Sequence, residues 1–248
     1  MAVAPGRASR PGGGLVPEDE CPFDAGREDR TPPETLRIGE PWRIRVFPNL
    51  YPAFERQEVV VHTPNHVDSL ADLDEEQLEL IADAWRLRRE AEPHGYLHAL
   101  VNEGREAGAS RAHTHSQLVW LGDAPPETQH GVDRKRWSIV LERDGLVLAC
   151  PYVSRLPYES VVAPTGPRAG AFADELLPRA LVLVGDAVRR LRAAQGDTVP
   201  LNAWLHDSDD WHIELLPRTA TLAGIELGAG IYVNSVPPEE AAKALRDA

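Results

Sequence analysis

The sequence predicts an α+β protein built from two copies of a strand–helix–strand–strand unit, related by pseudo-twofold symmetry, with an antiparallel sheet flanked by helices. Two amphipathic stretches are the first observation. Apolar residues at Leu78, Ile81 and Trp85, and again at Leu177, Leu181, Val184, Val188 and Leu191, recur at the spacing that gives a helix one buried face. Short alternating runs on either side of each stretch read as strands. The third observation is the order itself, which repeats roughly a hundred residues later. Leu100-Val101-Asn102 parallels Leu201-Asn202-Ala203, and His113-Thr114-His115 parallels Asp210-Trp211-His212.

Residues 1–20 are rich in Gly, Pro and Ala, lack periodicity and read as a flexible arm. The first copy spans 21–130. Trp42 to Phe47 alternates as a strand and ends in the turn chemistry of Pro48 to Pro52. Glu58 to His62 is a second strand, and Asp74-Glu75-Glu76-Gln77 is a capping box opening the first helix. Strands follow at Tyr96 to Asn102 and Ser116 to Leu121. The second copy spans 131–248. It opens with a hairpin, Trp137 to Val140 and Gly145 to Ala149, and continues with a strand at Glu159 to Val162. A helix from Asp174 to Ala194 ends at Gly196, which suits the position after a helix C-terminus. Strands at Leu201 to Leu205 and Trp211 to Leu216 complete the unit.

Composition excludes some partners. With 39 acidic against 26 basic residues and a formal charge of -13, the chain is not suited to a nucleic-acid backbone or an anionic membrane. A small anion is still accessible to local Arg, Lys or N–H donors. No apolar run reaches the length of a membrane span, and Met1 to Gly14 lacks the apolar core of a signal peptide. Two cysteines, Cys21 and Cys150, make no disulfide framework, so a cytoplasmic protein is expected.

The chemistry concentrates in one segment. A loop of small residues, Asn102 to Ser110, leads into Arg111-Ala112-His113-Thr114-His115-Ser116-Gln117. In an extended chain His113, His115 and Gln117 share a face, while Ser116, Leu118 and Trp120 point the other way. The loop offers backbone N–H groups and the Ser110 hydroxyl to a phosphate. A histidine so placed can attack phosphorus and split one displacement into two. The spacing alone also admits an exposed strand or a histidine pair that only binds metal.

The stretch Gly108-Ala-Ser-Arg-Ala-His113-Thr-His115-Ser-Gln117 resembles the signature of galactose-1-phosphate uridylyltransferases, a branch of the histidine-triad superfamily. Other blocks resemble the same family in order: Cys21-Pro22-Phe23 with Glu28 to Glu34, Phe47 to Pro52, Thr63 to His66, Trp211 to Arg218, and Ala223 to Gly228. The resemblance implies two histidine-triad-like repeats and a nucleotidyltransferase. His115 would be its nucleophile and Gln117 the amide that binds the transferred phosphoryl group. It implies substrate contacts at Arg30, Asn49, Asn102, Gly108 and Ser110. The substrates implied are a nucleotide-sugar and a sugar-1-phosphate, and a homodimer is expected. Histidine-triad hydrolases carry a third histidine where Gln117 stands, so transfer is expected over hydrolysis. The alternatives are a nucleotide-sugar or dinucleotide phosphorylase on the same scaffold, or a nucleotide-binding module without turnover.

The resemblance also implies a structural zinc, held here by Cys21, Asp24, His66 and His113, with Asp24 replacing the usual second cysteine. Carboxylate oxygen is an acceptable zinc ligand. Some members carry a second metal on a C-terminal His-x-His; here the equivalent is Asp210-Trp211-His212 with His206 upstream, and no metal is expected there. His62, His94, His98 and His130 read as surface or satisfied histidines, and Cys150 as buried and inert. Sugar selectivity is expected in Gly228 to Asn234.

Overall fold

Ten strands among the described residues form one antiparallel sheet, with two long helices packed on one of its faces. The computed structural model describes residues 21–128, 132–196 and 199–248. The expected arm, His130 and the expected boundary between the copies lie outside the described residues.

The first half runs β1 (Leu36–Ile38), β2 (Ile44–Pro48), β3 (Arg56–Val61), α1 (Glu75–Ala91), β4 (Tyr96–Glu103) and β5 (His115–Leu121). The second runs β6 (Trp137–Arg143), β7 (Leu146–Pro151), β8 (Ser160–Pro164), α2 (Leu177–Gln195), β9 (Leu201–His206) and β10 (His212–Pro217), followed by α3 (Gly224–Ala229) and α4 (Pro238–Asp247). Across the sheet the order is β1-β2-β3-β5-β4-β9-β10-β8-β7-β6, so each half repeats the other's order outward from the centre. The halves join where β4 pairs with β9, Val101 opposite Ala203 and Asn102 opposite Asn202.

The helix face is the main core. Leu78, Ile81 and Trp85 of α1 and Leu181, Val184 and Val188 of α2 cover Leu97, Ala99 and Val101 of β4 and Leu201, Ala203 and Leu205 of β9. The helices approach so closely at Gly185 that a Cβ there would lie 2.6 Å from Leu78 Cδ1. Asp74 caps α1 as expected, its side chain accepting from the Gln77 N–H at 2.7 Å. The reciprocal half of the box is replaced: Gln77 Nε2 donates to the carbonyls of Arg43 and His62, tying the helix start to the chain on either side of β2 and β3.

The buried alternation corrects the alignment of the copies. Leu97, Ala99 and Val101 face the helices on β4, as do Leu201, Ala203 and Leu205 on β9. Matching these sets puts His98 against Asn202 and Asn102 against His206. The expected match of Leu100-Val101-Asn102 with Leu201-Asn202-Ala203 is therefore off by three residues. An odd shift turns every side chain to the wrong face. The match of His115 with His212 stands. Each follows a two-residue step from a carbonyl that its Nδ1 meets, His113 O at 2.8 Å and Asp210 O at 3.1 Å.

Candidate active site

The face of the sheet opposite the helices carries the polar residues. Ser116 and Leu118 of β5 turn toward the helices, with Trp85 Nε1 donating to Ser116 Oγ at 2.9 Å. His115 and Gln117 therefore point to the open face. There a small apolar cluster of Cys21, Phe23, Trp42, Phe47, Val59 and Val61 covers the outer part of the first half. The ring of Phe23 lies edge-on to both His113 and His115, at centroid distances of 6.0 and 5.4 Å.

His115 Nδ1 meets the His113 carbonyl at 2.8 Å. A carbonyl only accepts, so Nδ1 carries the proton and, in the neutral ring, Nε2 carries the lone pair. His113 is fixed in the opposite sense. Its Nε2 donates to the Thr63 carbonyl at 2.9 Å, which leaves the Nδ1 lone pair directed at Asp24 Oδ1, 2.9 Å away. Burial favours the neutral His113 ring over the opposing pull of Asp24 and the Thr63 carbonyl.

The four expected zinc ligands converge, with one ligand atom each lying within 4.8 Å of the others. His66 Nδ1 is 2.8 Å from Asp24 Oδ1, and Cys21 Sγ is 3.9 Å from His113 Nδ1. Burial works against ionisation of Asp24, but the neighbouring imidazoles of His66 and His113 outweigh it and hold the carboxyl below its ordinary value. Burial pushes the Cys21 thiol up. Two imidazole lone-pair positions, a carboxylate and a thiol facing one point fit a tetrahedral zinc. Cys150 is fully buried and pushed up to about 12, as expected of an inert thiol.

The small-residue loop departs from expectation. The N–H groups of Ala107, Gly108 and Ala109 are spent inside the loop, on the carbonyls of Gly104, Arg105 and Gly104. They are not free for a phosphate. Gly108 sits at φ +88, the left-handed conformation that lets the turn close, and a Cβ on Gly104 would press against Pro200. The loop thus acts as a rigid spacer that leaves Ser110 partly exposed before His115. Asn49 is partly exposed after β2, its Oδ1 accepting from the Tyr51 N–H at 2.9 Å. Arg30 lies exposed in the turn Glu28–Arg30.

Three features escaped the sequence reading. Gln57 on β3 donates its amide to Gln117, and Asn202 on β9 donates its amide to Asn102 at 2.7 Å. The third is the carboxylate beside the C-terminal histidines, which is Glu214. It lies 3.0 Å from His206 Nε2, and His206 stacks on His212 with ring centroids 4.2 Å apart. The Arg155 guanidinium contacts Glu214, while Asp210 turns away to Arg134. His62 and His98 are neither exposed nor fully satisfied. His62 is buried with Nε2 unpartnered among the described residues, and His98 Nδ1 is likewise unpartnered. The stretch Gly228 to Val233 is exposed, and Asn234 bonds the carbonyls of Ser154 and Leu156.

The family model for galactose-1-phosphate uridyl transferase, N-terminal domain, matches residues 49–126. ADP-glucose phosphorylase of Arabidopsis thaliana is 26% identical, over 92% of this chain and 81% of that protein. The galactose-1-phosphate uridylyltransferase of Thermotoga maritima is 24% identical, over 92% and 89%. The crystal structure of an Arabidopsis thaliana ADP-glucose phosphorylase with bound ADP-glucose shares the fold, with a TM-score of 0.82 at 24% identity over 98% of this chain and 94% of that one. The chain is thus similar to ADP-glucose phosphorylase and to a galactose-1-phosphate uridylyltransferase along most of its length.

Proposed function

We propose that the protein is a nucleotidyltransferase that moves a nucleoside monophosphate from a nucleotide-sugar to an acceptor phosphate, through a covalent intermediate on His115. The observation that carries this reading is the fixed tautomer of His115, whose Nδ1–H is held by the His113 carbonyl. In the first step Nε2 attacks the α-phosphorus. The N–P bond forms, and the bond from that phosphorus to the bridging oxygen breaks, releasing a sugar-1-phosphate that is already ionised. The ring keeps its Nδ1 proton throughout and becomes cationic, and the His113 carbonyl stabilises that charge. No proton has to move. In the second step an acceptor phosphate oxygen attacks the phosphorus, the N–P bond breaks and the lone pair returns to Nε2. Two inversions restore the configuration at phosphorus.

Gln117 is assigned to the phosphoryl oxygens, with Asn102, Ser110, Asn49 and Arg30 around the nucleotide and its phosphates and Gly108 as the turn that presents Ser110. Cys21, Asp24, His66 and His113 would hold a zinc ion that ties the N-terminal segment to the catalytic strand and has no part in the bond changes. The acceptor in the first reading is a sugar-1-phosphate. A second reading, with inorganic phosphate as acceptor, is favoured by the similarity to ADP-glucose phosphorylase along 92% of the chain. Incubation with UDP-glucose, UDP-galactose and ADP-glucose, followed by intact-mass measurement under non-acidic conditions, tests the reading. One nucleotide should add to the wild type and none to His115→Asn. The adduct should then be discharged by sugar-1-phosphate or by phosphate, which separates the two readings. An adduct of the same size on His115→Asn would end the assignment of the nucleophile.

A further inference from the structure

An amide side chain offers an anion an N–H only if its oxygen is turned away, and its two ends are nearly alike in shape. At Gln117 the orientation is forced from a distance. The backbone N–H of Ala53 can only donate, and it donates to Gln57 Oε1 at 2.8 Å. Gln57 Nε2 is the end left for its neighbour on β5, and it donates to Gln117 Oε1. Gln117 Nε2 remains as the end not engaged by Gln57.

A second relay reaches Asn102 from the other half of the sheet. The guanidinium of Arg218, also an obligate donor, bonds Asn202 Oδ1 at 3.3 Å. Asn202 Nδ2 then donates to the Ala107 carbonyl at 2.8 Å and to Asn102 Oδ1 at 2.7 Å. Asn102 Nδ2 is the end left over. Both relays begin on a group whose donor character is not open to choice, so the orientation of each amide follows.

We infer that Gln57 and Asn202 are positioning residues that pole the Gln117 and Asn102 amides, so that N–H groups rather than carbonyl oxygens face the phosphoryl group on His115. The inference rests on the nucleotidyl-transfer reading above. Reversing an amide changes the sign of its interaction with a phosphoryl oxygen, not merely its strength. Donors aimed in advance at developing charge need no reorganisation during reaction. Gln57→Glu and Asn202→Asp keep size and shape but remove the N–H. The carboxylate that Gln57→Glu introduces still accepts from Ala53, yet it sets oxygen against oxygen at Gln117. The relief is a half-turn of the Gln117 amide, which aims its oxygen at the phosphoryl group.

The test is a pair of double-mutant cycles on the rate of nucleotidyl-enzyme formation from ADP-glucose or UDP-glucose. Gln57→Glu should slow labelling by about tenfold to a hundredfold, the range of a lost or reversed transition-state donor. In a Gln117→Ala background the same change should cost less than about threefold, because its target is gone. Asn202→Asp should behave likewise with Asn102→Ala. Equal slowing in both backgrounds, or wild-type rates in the single variants, overturns the inference. A wild type that labels with no nucleotide-sugar overturns the functional reading instead. Side-chain amide exchange in 15N-labelled protein then decides the poling: the Gln57 amide protons should be protected, and lose protection in Gln117→Ala. Unprotected Gln57 protons in the wild type overturn the inference independently of activity.

Discussion

The chemistry proposed for His115 depends on one carbonyl. By holding Nδ1–H, His113 O would leave Nε2 as the proposed nucleophile and keep the ring a good leaving group in the proposed phosphoryl intermediate. Gln117 adds a donor but no titratable proton, so water gains no base at that position. Gln117→His should supply one. Without acceptor, the nucleotidyl-enzyme of this variant should lose nucleoside monophosphate faster than the wild type, by up to the factor of about a hundred to ten thousand that general acid–base help is worth. Mass spectra over time would show it, and an unchanged lifetime would remove position 117 from the choice between transfer and hydrolysis. His115 and Gln117 were legible in the sequence because alternation along a strand puts them on one face. Gln57 and Asn202 were not, since their effect depends on which strands become neighbours, and nothing local encodes that β3 and β9 flank β5 and β4.

At the scale of elements, the convergence of Cys21, Asp24, His66 and His113 joins the N-terminal segment, the turn after β3 and the approach to β5. The Thr114 N–H adds a bond to the Val67 carbonyl at 2.7 Å, so the same segments are also tied by backbone. Protein purified without chelator should contain about one zinc per chain, and its removal should lower Tm more than it lowers the labelling rate. Elemental analysis without zinc would discard the metal and leave His115 chemistry intact. The ligand types and their order were readable in sequence; the lone-pair direction of His113 was not, because it is set by the carbonyl of Thr63, fifty residues upstream. The long helices and central strands were foreseen from periodicity. The three-residue β1, the short α3 and the terminal α4 were not, being too short or too weakly patterned to stand out.

The whole molecule should lose stability on mild acidification. Burial holds His62, His98, His206 and His212 below the usual imidazole value, His206 down to about 3. Their folded pKa values are depressed, so the unfolded chain takes up protons first as pH falls below about 6.5, and the fold loses ground. For His206 alone this amounts to about 1.4 kcal/mol for each pH unit below 6.5. Glu103 opposes it: burial lifts its carboxyl to about 7, so the folded state gains a proton there on the way down. Burial also raises the carboxyls of Glu159 and Asp207, which act in the same sense as Glu103. The four depressed imidazoles outnumber the three raised carboxyls, so Tm at pH 5.5 should lie below that at pH 7.5. A rise in Tm over that interval would mean the histidines are hydrated and Glu103 dominates. The repeat was visible in sequence, but its offset was not, because matching letters carry no information about which face a side chain takes.

The bond from Asn202 to Asn102 crosses the seam between the two halves. A duplicated unit usually leaves each copy free to drift, one keeping the work while the other decays. On the inference above, the second copy serves as part of the first one's instrument. On the reading inferred above, a change on β9 reaches the chemistry proposed at β5, so the two halves would work only together.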